Sequence, residues 1–281
     1  MQSCRSDDEM KGTLPLRLSA ALVGIEAALL VAGELRRPLR RSTHNKFVRD
    51  GRNAVIGALA SLTTALIETP IAAGVAAHAA ARGWGLVRRL PLPPVARSIV
   101  AAALMDYTMY LWHVGAHRIP ALWRFHLVHH VDRDLDASTA LRFHVGEMLL
   151  SVPYRAAQVA LIGVTPREYA VWQVLFALSI QFHHANLRLS PNVDAFLERF
   201  IVTPRLHGIH HAARKDCEDA NWSSGLTLWD RLHGTLRDDV AQDEITIGLP
   251  GYRSDADARI RTALALPFSR QKDAWTLDWR C

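Results

Sequence analysis

Five apolar stretches, with the charge crowded into the links between them, constrain this chain more than any other feature of its sequence. Residues 18–33 are apolar apart from Ser19 and Glu26, and residues 54–81 are interrupted by Glu68, Pro70 and His78. Residues 95–112 carry Arg97 and Asp106 near their two ends, and residues 148–163 and 169–182 form a weaker pair around 164–168. A segment in a bilayer must satisfy its own backbone polar groups, so such stretches are read as helices. None is an unbroken apolar run of about 20 residues, which leaves a soluble helical bundle as the competing reading.

The placement of charge favours the membrane. Arg36, Arg37, Arg40, Arg41, Lys46, Arg49 and Arg52 crowd the first link, opposed there by Asp50 alone, and the next link holds Arg82, Arg88 and Arg89. The positive-inside bias puts the first link in the cytoplasm and the second outside. The third stretch then returns to the cytoplasm, and the fourth and fifth can leave and return as a hairpin. Four main spans, with a short or re-entrant fifth, are expected. The formal net charge of +6 comes with no aromatic platform or nucleic-acid motif, so anionic lipid headgroups are the expected partners of the basic link and nucleic acid is not. Cys4, Cys217 and Cys281 are scattered and form no disulfide framework or metal-ligand pair. Asp7, Asp8 and Glu9 precede the first stretch, which reads as no signal peptide.

This topology delivers the histidines to one face. Eleven of the 14 lie between His113 and His211. His113 and His117 are one helical turn apart. His126, His129 and His130 read H-x-x-H-H, and His207, His210 and His211 repeat the pattern. If each triplet is helical, its members can converge. His144 opens the fourth stretch and His183 and His184 close the fifth, so the two ends of the hairpin can meet. One of that adjacent pair is expected to be a ligand, His184 in preference, and His183 its hydrogen-bonding neighbour. Imidazole ligates iron, zinc, copper and nickel. The number of histidines exceeds one tetrahedral zinc site and suits two metals bound mostly by nitrogen. Asp106, seven residues before His113, shares roughly its face and is expected to accept a proton from a ligand ring. His44, His78 and His233 are isolated and read as structural.

These residues carry a likeness to a family. The segments DYTMYLWHVGAH, LWRFHLVHH, TALRFHVGE, QFHHANL, TPRLHGIHHA and NWSSGLTLWDRLHGT run in order over 106–235. Together they resemble the fatty acid hydroxylase superfamily, the integral-membrane group also called the sterol desaturase family. The resemblance implies an all-α, multi-span membrane protein with a cytoplasmic, histidine-rich helical cap holding a di-metal site. It implies an N-terminal tail over 1–17, a membrane domain over 18–247 with its histidine-box core at 106–235, and a C-terminal tail over 248–281. It implies two iron ions, with dioxygen as co-substrate. The metal ligands it implies are His113, His117, His126, His129, His130, His144, His184, His207, His210 and His211. Asn186 and Asp230 match supporting positions, beside the candidates Asp106 and His183.

Three positions depart from the family pattern: Val114 where Arg is frequent, Val145 where Pro is common, and His233 where Phe is usual. None removes a ligand position, but they blur the substrate assignment. The implied reaction is hydroxylation or desaturation of a C–H bond in a sterol, isoprenoid or fatty acyl lipid, at the cytoplasmic side of the plasma (inner) membrane. The chain has no flavin or nicotinamide fingerprint and no haem-attachment motif, so a separate ferredoxin, cytochrome or reductase is expected to supply electrons. A zinc enzyme acting on a lipid without redox chemistry is the first alternative. A metal transport or storage protein is the second, though a transporter is expected to hold its ligands nearer the bilayer midplane.

Overall fold

The computed structural model describes residues 16–276. Most of the expected N-terminal tail, with Cys4, lies outside those residues, as do 277–281 with Cys281. The described chain is helical, and its only β pairings are isolated bridges at Pro38–Leu187, Ile201–Leu226 and Ala212–Ile247.

Helix α1 runs Leu16–Arg36. Its 21 residues reach about 31 Å, longer than the apolar run suggested, because the helix continues through Glu34 to Arg36. Helix α2, Lys46–Thr63, passes through a π turn at Thr64–Glu68 into α3, Thr69–Ala81. Pro70 therefore does not break this rod. Proline removes an N–H from the ladder, and the wide turn just before it, closed by Thr69 N–H on Thr64 O, absorbs the mismatch. Arg17–Arg36 and Lys46–Ala81 are the two helices long and apolar enough to cross a membrane among the described residues. Only 11% of the first span is buried by the protein, so it needs another apolar surrounding. Leu22, Ile25, Leu29, Leu59, Leu62 and Leu66 stand exposed along these rods, a belt that suits lipid better than water.

The other expected spans are also helices: α4, Pro94–Arg118; α6, Val145–Ile162; and α7, Pro166–His184. They fall short of the same composition because polar groups such as Asp106, Arg155 and Gln158 are buried among them. α3, α4, α6 and α7 close around a core of Ala76, Met105, Val159 and Trp172. α6 ends on Gly163 in the left-handed region. A Cβ at the facing Gly85 would fall 2.2 Å from the Gly163 backbone, so this end of the bundle requires glycine.

The remaining elements form a cap at one end. Helix α5, Pro120–His130, follows α4 directly, and a 3-10 turn covers Ala137–Leu141. Short helices follow: α8, Pro191–Leu197; α9, Pro204–His210; α10, Lys215–Glu218; α11, Leu228–His233; and α12, Ile260–Ala265. The stretch read as a tail packs back on α5, where Leu249, Tyr252, Ala263 and Leu266 cover Leu127, Val128 and Val131. Full burial of each such side chain is worth about 1.5–3 kcal/mol. Arg124 fastens the same stretch by donating to the carbonyls of Pro267 and Ser269, each at 2.7 Å.

Part of the basic link turns inward. Lys46 pairs with Glu34 at 2.8 Å and Asp136 at 2.7 Å, and Arg49 pairs with Asp132 at 2.8 Å and with Asp136. Arg142 reaches Asn53 at 2.9 Å, and Asn53 reaches Asp132 at 3.0 Å. Arg40 is buried and donates to Gln242 at 2.6 Å. These cations clamp the cap to the first two rods, while Arg36, Arg37 and Arg41 stay exposed.

Candidate metal centre

The helix geometry sorts the histidines. His113 and His117 sit one turn apart in the last turns of α4. α5 ends in His126, His129 and His130, α7 in His183 and His184, and α9 in His207 and His210, with His211 as its C-cap. Adjacent residues on a helix point about 100° apart, so His129 and His130 cannot serve one point, and neither can His210 and His211.

The result is two groups of four. His113, His117, His130 and His210 form one, and His129, His184, His207 and His211 form the other. Within each group, one ligand atom per residue lies within 4.8 Å of all the others. Each H-x-x-H-H box thus contributes to both groups, rather than converging on one centre as the spacing alone allowed.

Hydrogen bonds fix how several rings are presented. His113 Nδ1 donates to Trp222 O at 2.7 Å, His210 Nδ1 to Ala220 O at 2.9 Å and His184 Nδ1 to Ile180 O at 2.8 Å. A carbonyl only accepts, so these Nδ1 atoms hold the protons and the Nε2 atoms carry lone pairs. In the second group the Nε2 atoms form a closed ring. His184–His129 and His207–His184 are 3.0 Å apart, His211–His207 is 3.1 Å and His129–His211 is 3.2 Å. No arrangement of one proton per ring satisfies all four edges once His184 Nε2 has none. A cation at the centre does. In the first group, Nε2 of His117, His130 and His210 is buried with no hydrogen-bond partner, as befits lone pairs that would be directed at a metal ion. Burial and the neighbouring rings hold His129, His130, His207 and His211 well below the usual imidazole value, and His210 falls to about 3. The rings are neutral donors, as metal binding requires. Both groups therefore fit metal ions, and neither contains a carboxylate.

The remaining expected site residues are placed differently. His126 lies outside both groups of four, although its Nε2, like those of the first group, is buried with no hydrogen-bond partner. Its ring lies 5.2 Å from His113, 4.8 Å from His117 and 5.3 Å from His129, and its Nδ1 meets Glu147 Oε1 at 2.9 Å. The His183 ring lies 4.1 Å from that of His207, tilted 52° to it, and its Nδ1 donates to Ser224 O at 3.0 Å. His144 stands apart from both groups. Its Nδ1 accepts from Gly146 N at 2.9 Å to cap α6, and its Nε2 lies 3.2 Å from Leu264 O. Asp106 takes no histidine proton, since seven residues of helix separate it from His113 by about 10 Å. It accepts from Leu226 N at 2.9 Å and Trp229 Nε1 at 2.7 Å. Asp230 accepts from Trp222 N at 2.9 Å and from Ser223 N at 3.0 Å, and the second of these steadies the peptide whose Trp222 carbonyl holds His113. Asn186 brackets the Arg40 backbone at 2.8 and 2.9 Å.

Sequence reasoning missed Glu147 and the carbonyls of Trp222, Ala220 and Ile180. Glu147 closes the segment TALRFHVGE and carried a signal there, as an acid beside a histidine box. Carbonyls carry no signal, because every residue has one. A cavity of about 360 Å³ opens from His113, His126, His129, His184 and His207 toward Met109, Trp112, Trp172 and Phe176.

Comparison with known proteins gives the same direction. Residues 98–235 match the family model described as fatty acid hydroxylase. Ornithine lipid hydroxylase OlsE of Rhizobium tropici is 27% identical over 182 residues, 64% of this chain and 52% of its own length. Human alkylglycerol monooxygenase is 31% identical over 148 residues, 52% of this chain and 31% of its own. Rat cholesterol 25-hydroxylase is 26% identical over 142 residues, 50% of this chain and 46% of its own. The chain thus spans about half or less of the length of these relatives. No solved structure matches it.

Proposed function

The chain belongs to the fatty acid hydroxylase superfamily, and from that premise we propose that it is a membrane-bound di-iron enzyme that uses dioxygen to hydroxylate a C–H bond of a lipid, with desaturation as the variant outcome. The observation that carries this reading is two groups of four neutral histidines flanking one cavity with an apolar wall. Two bound irons would supply dioxygen activation. In hydroxylation one oxygen atom enters the C–H bond and the other leaves as water, with two electrons and two protons from a separate donor.

The chain's own residues do the rest. His113, His117, His130 and His210 would hold one iron and His129, His184, His207 and His211 the other. The carbonyls of Trp222, Ala220 and Ile180 keep three of these rings oriented, which raises their basicity as donors. Glu147 steadies His126 at the cavity edge. Trp112, Trp172 and Phe176 exclude water and pack against the lipid. The basic first link supports a cytoplasmic cap, where the electron donor reaches it and the lipid enters from the bilayer.

Two measurements on membranes and purified protein test the reading. Metal analysis with Mössbauer spectroscopy, on protein purified anaerobically in detergent, is expected to give coupled di-iron. Incubation of expressing membranes with labelled dioxygen and a compatible donor is expected to put label into a new lipid alcohol. Loss of two hydrogens without label selects desaturation. Zinc alone, with lipid converted without oxygen, overturns the assignment.

A further inference from the structure

The same cavity contains a buried ion pair for which the oxygenase reading has no use. Glu68 and Arg155 both line it and are only 5% and 6% exposed. Ser151 Oγ donates to Glu68 Oε2 at 2.5 Å and Arg155 Nε to Glu68 Oε1 at 3.2 Å. Arg155 Nη1 is held by Gln158 and Met109, and the guanidinium lies 4.6 Å over the Trp172 ring. Among the described residues Arg155 Nη2 has no acceptor. Glu68 closes the π turn Thr64–Glu68 and is the one charged residue of the stretch 54–81, and such turns recur at functional sites. On α6, Arg155 follows Glu147, the partner of His126, by eight residues, or about 12 Å along the axis. The ion pair and the histidines thus stand at different depths of one cavity.

An ion pair at this depth is poor material for stability, because desolvating two charges offsets their attraction. Ionisable groups inside a membrane segment mark binding or transport. Resting on the lipid-oxygenase reading for the cavity's role, we propose that the Glu68–Arg155 end binds a neutral hydrogen-bonding head group of the substrate, a hydroxyl or an amide carbonyl, and so sets which carbon reaches the histidines. Glu68 cancels the charge of Arg155, so a carboxylate head would bring a second anion beside Glu68. A plain hydrocarbon would leave Nη2 without a partner. A hydroxyl or carbonyl oxygen satisfies Nη2 and adds no charge.

Binding is read from tryptophan fluorescence, since Trp112 and Trp172 line the cavity, on full-length protein as purified and kept anaerobic so that nothing turns over. The probes are hexadecanol, hexadecane and palmitate. Wild type is expected to bind hexadecanol about tenfold more tightly than hexadecane, the effect of one hydrogen bond, and more tightly than palmitate. Arg155→Met is expected to reduce the alcohol preference to about twofold or less. Glu68→Gln keeps the shape but leaves Arg155 uncompensated, so palmitate is expected to overtake hexadecanol. That gain of affinity decides the matter even if Arg155→Met does not fold. Equal binding of alcohol and alkane by wild type, or an unchanged order in Glu68→Gln, overturns the proposal. If labelled oxygen still enters lipid in that case, only this inference is lost. If the alcohol preference holds but no oxygen is incorporated, only the oxygenase reading is lost.

Discussion

Replacing His184 with alanine should cost the chain one metal and spare the other. The four Nε2 atoms around His184 are 3.0 to 3.2 Å apart along their ring. A tetrahedral ion at about 2.05 Å from each nitrogen needs edges of about 3.3 Å, so these four contacts are within a few tenths of an ångström of what an ion requires. Four-ligand metal sites are worth on the order of 12 kcal/mol, or about 3 kcal/mol per ligand. Losing His184 should therefore weaken that site about a hundredfold. The other group, His113, His117, His130 and His210, includes no atom of His184 and should keep its affinity. The assay is anaerobic metal release against a graded series of chelators, which resolves two steps in wild type. The expected result is one step moved by about two orders of magnitude and one unmoved. Equal shifts in both steps, or none, would refute the division into two independent groups.

Three further outcomes are expected. Glu147→Gln removes the carboxylate 2.9 Å from His126 Nδ1 and should lower turnover with both metals retained; loss of a metal would instead make His126 a ligand, whose carboxylate partner is worth roughly ten- to a hundredfold in metal affinity or activity. His144→Ala should leave both metals bound and cost about 1 kcal/mol of stability through the lost cap on α6, as read by metal analysis and thermal unfolding; loss of a metal would restore His144 to the ligand set. Arg49→Met strips a cation from two buried carboxylates and should cost about 3 kcal/mol, or about 10 °C in Tm. Burial works against the charge on Asp132 and Asp136, but Arg49 leads the groups that outweigh it and hold both below the ordinary value of 3.8. A lowered carboxylate adds stability that is complete above the unfolded value and is lost as pH falls through the folded one. The gap between wild type and Arg49→Met should thus be widest near neutrality and close below about pH 4; a gap independent of pH would remove Arg49 as the cause.

The apolar stretches carried the helices, because a repeat of 3.6 residues and a lack of charge are local properties. They did not carry the ends. α1 outlasts its apolar run by three residues, since Glu34 is paired in the cap with Lys46 rather than exposed. The basic link misled for the same reason. Arg40, Lys46 and Arg49 read as a lipid-facing patch, yet three acids from residues 34, 132 and 136 draw Lys46 and Arg49 inward, and Gln242 takes Arg40. Those partners are distant in sequence, so no window along the chain reveals them. The stretch after residue 248 resembled nothing recognisable because its packing on α5 uses scattered apolar side chains with no motif.

The sequence by itself determined which side chains are available: the paired histidines one turn apart, the two H-x-x-H-H boxes, and the kinship they signal. Tertiary structure alone decided how they divide. Neighbouring residues on a helix diverge by about 100°, so His129 and His130 part company, as do His210 and His211, and each finds partners from other helices. His144 shows the converse. Its place at the end of the hairpin and the family likeness suited a ligand, but both of its nitrogens are taken by the backbone at Gly146 and Leu264. Ligand identity is a property of the residue, whereas convergence on a point depends on helix packing, which links residues more than 70 positions apart.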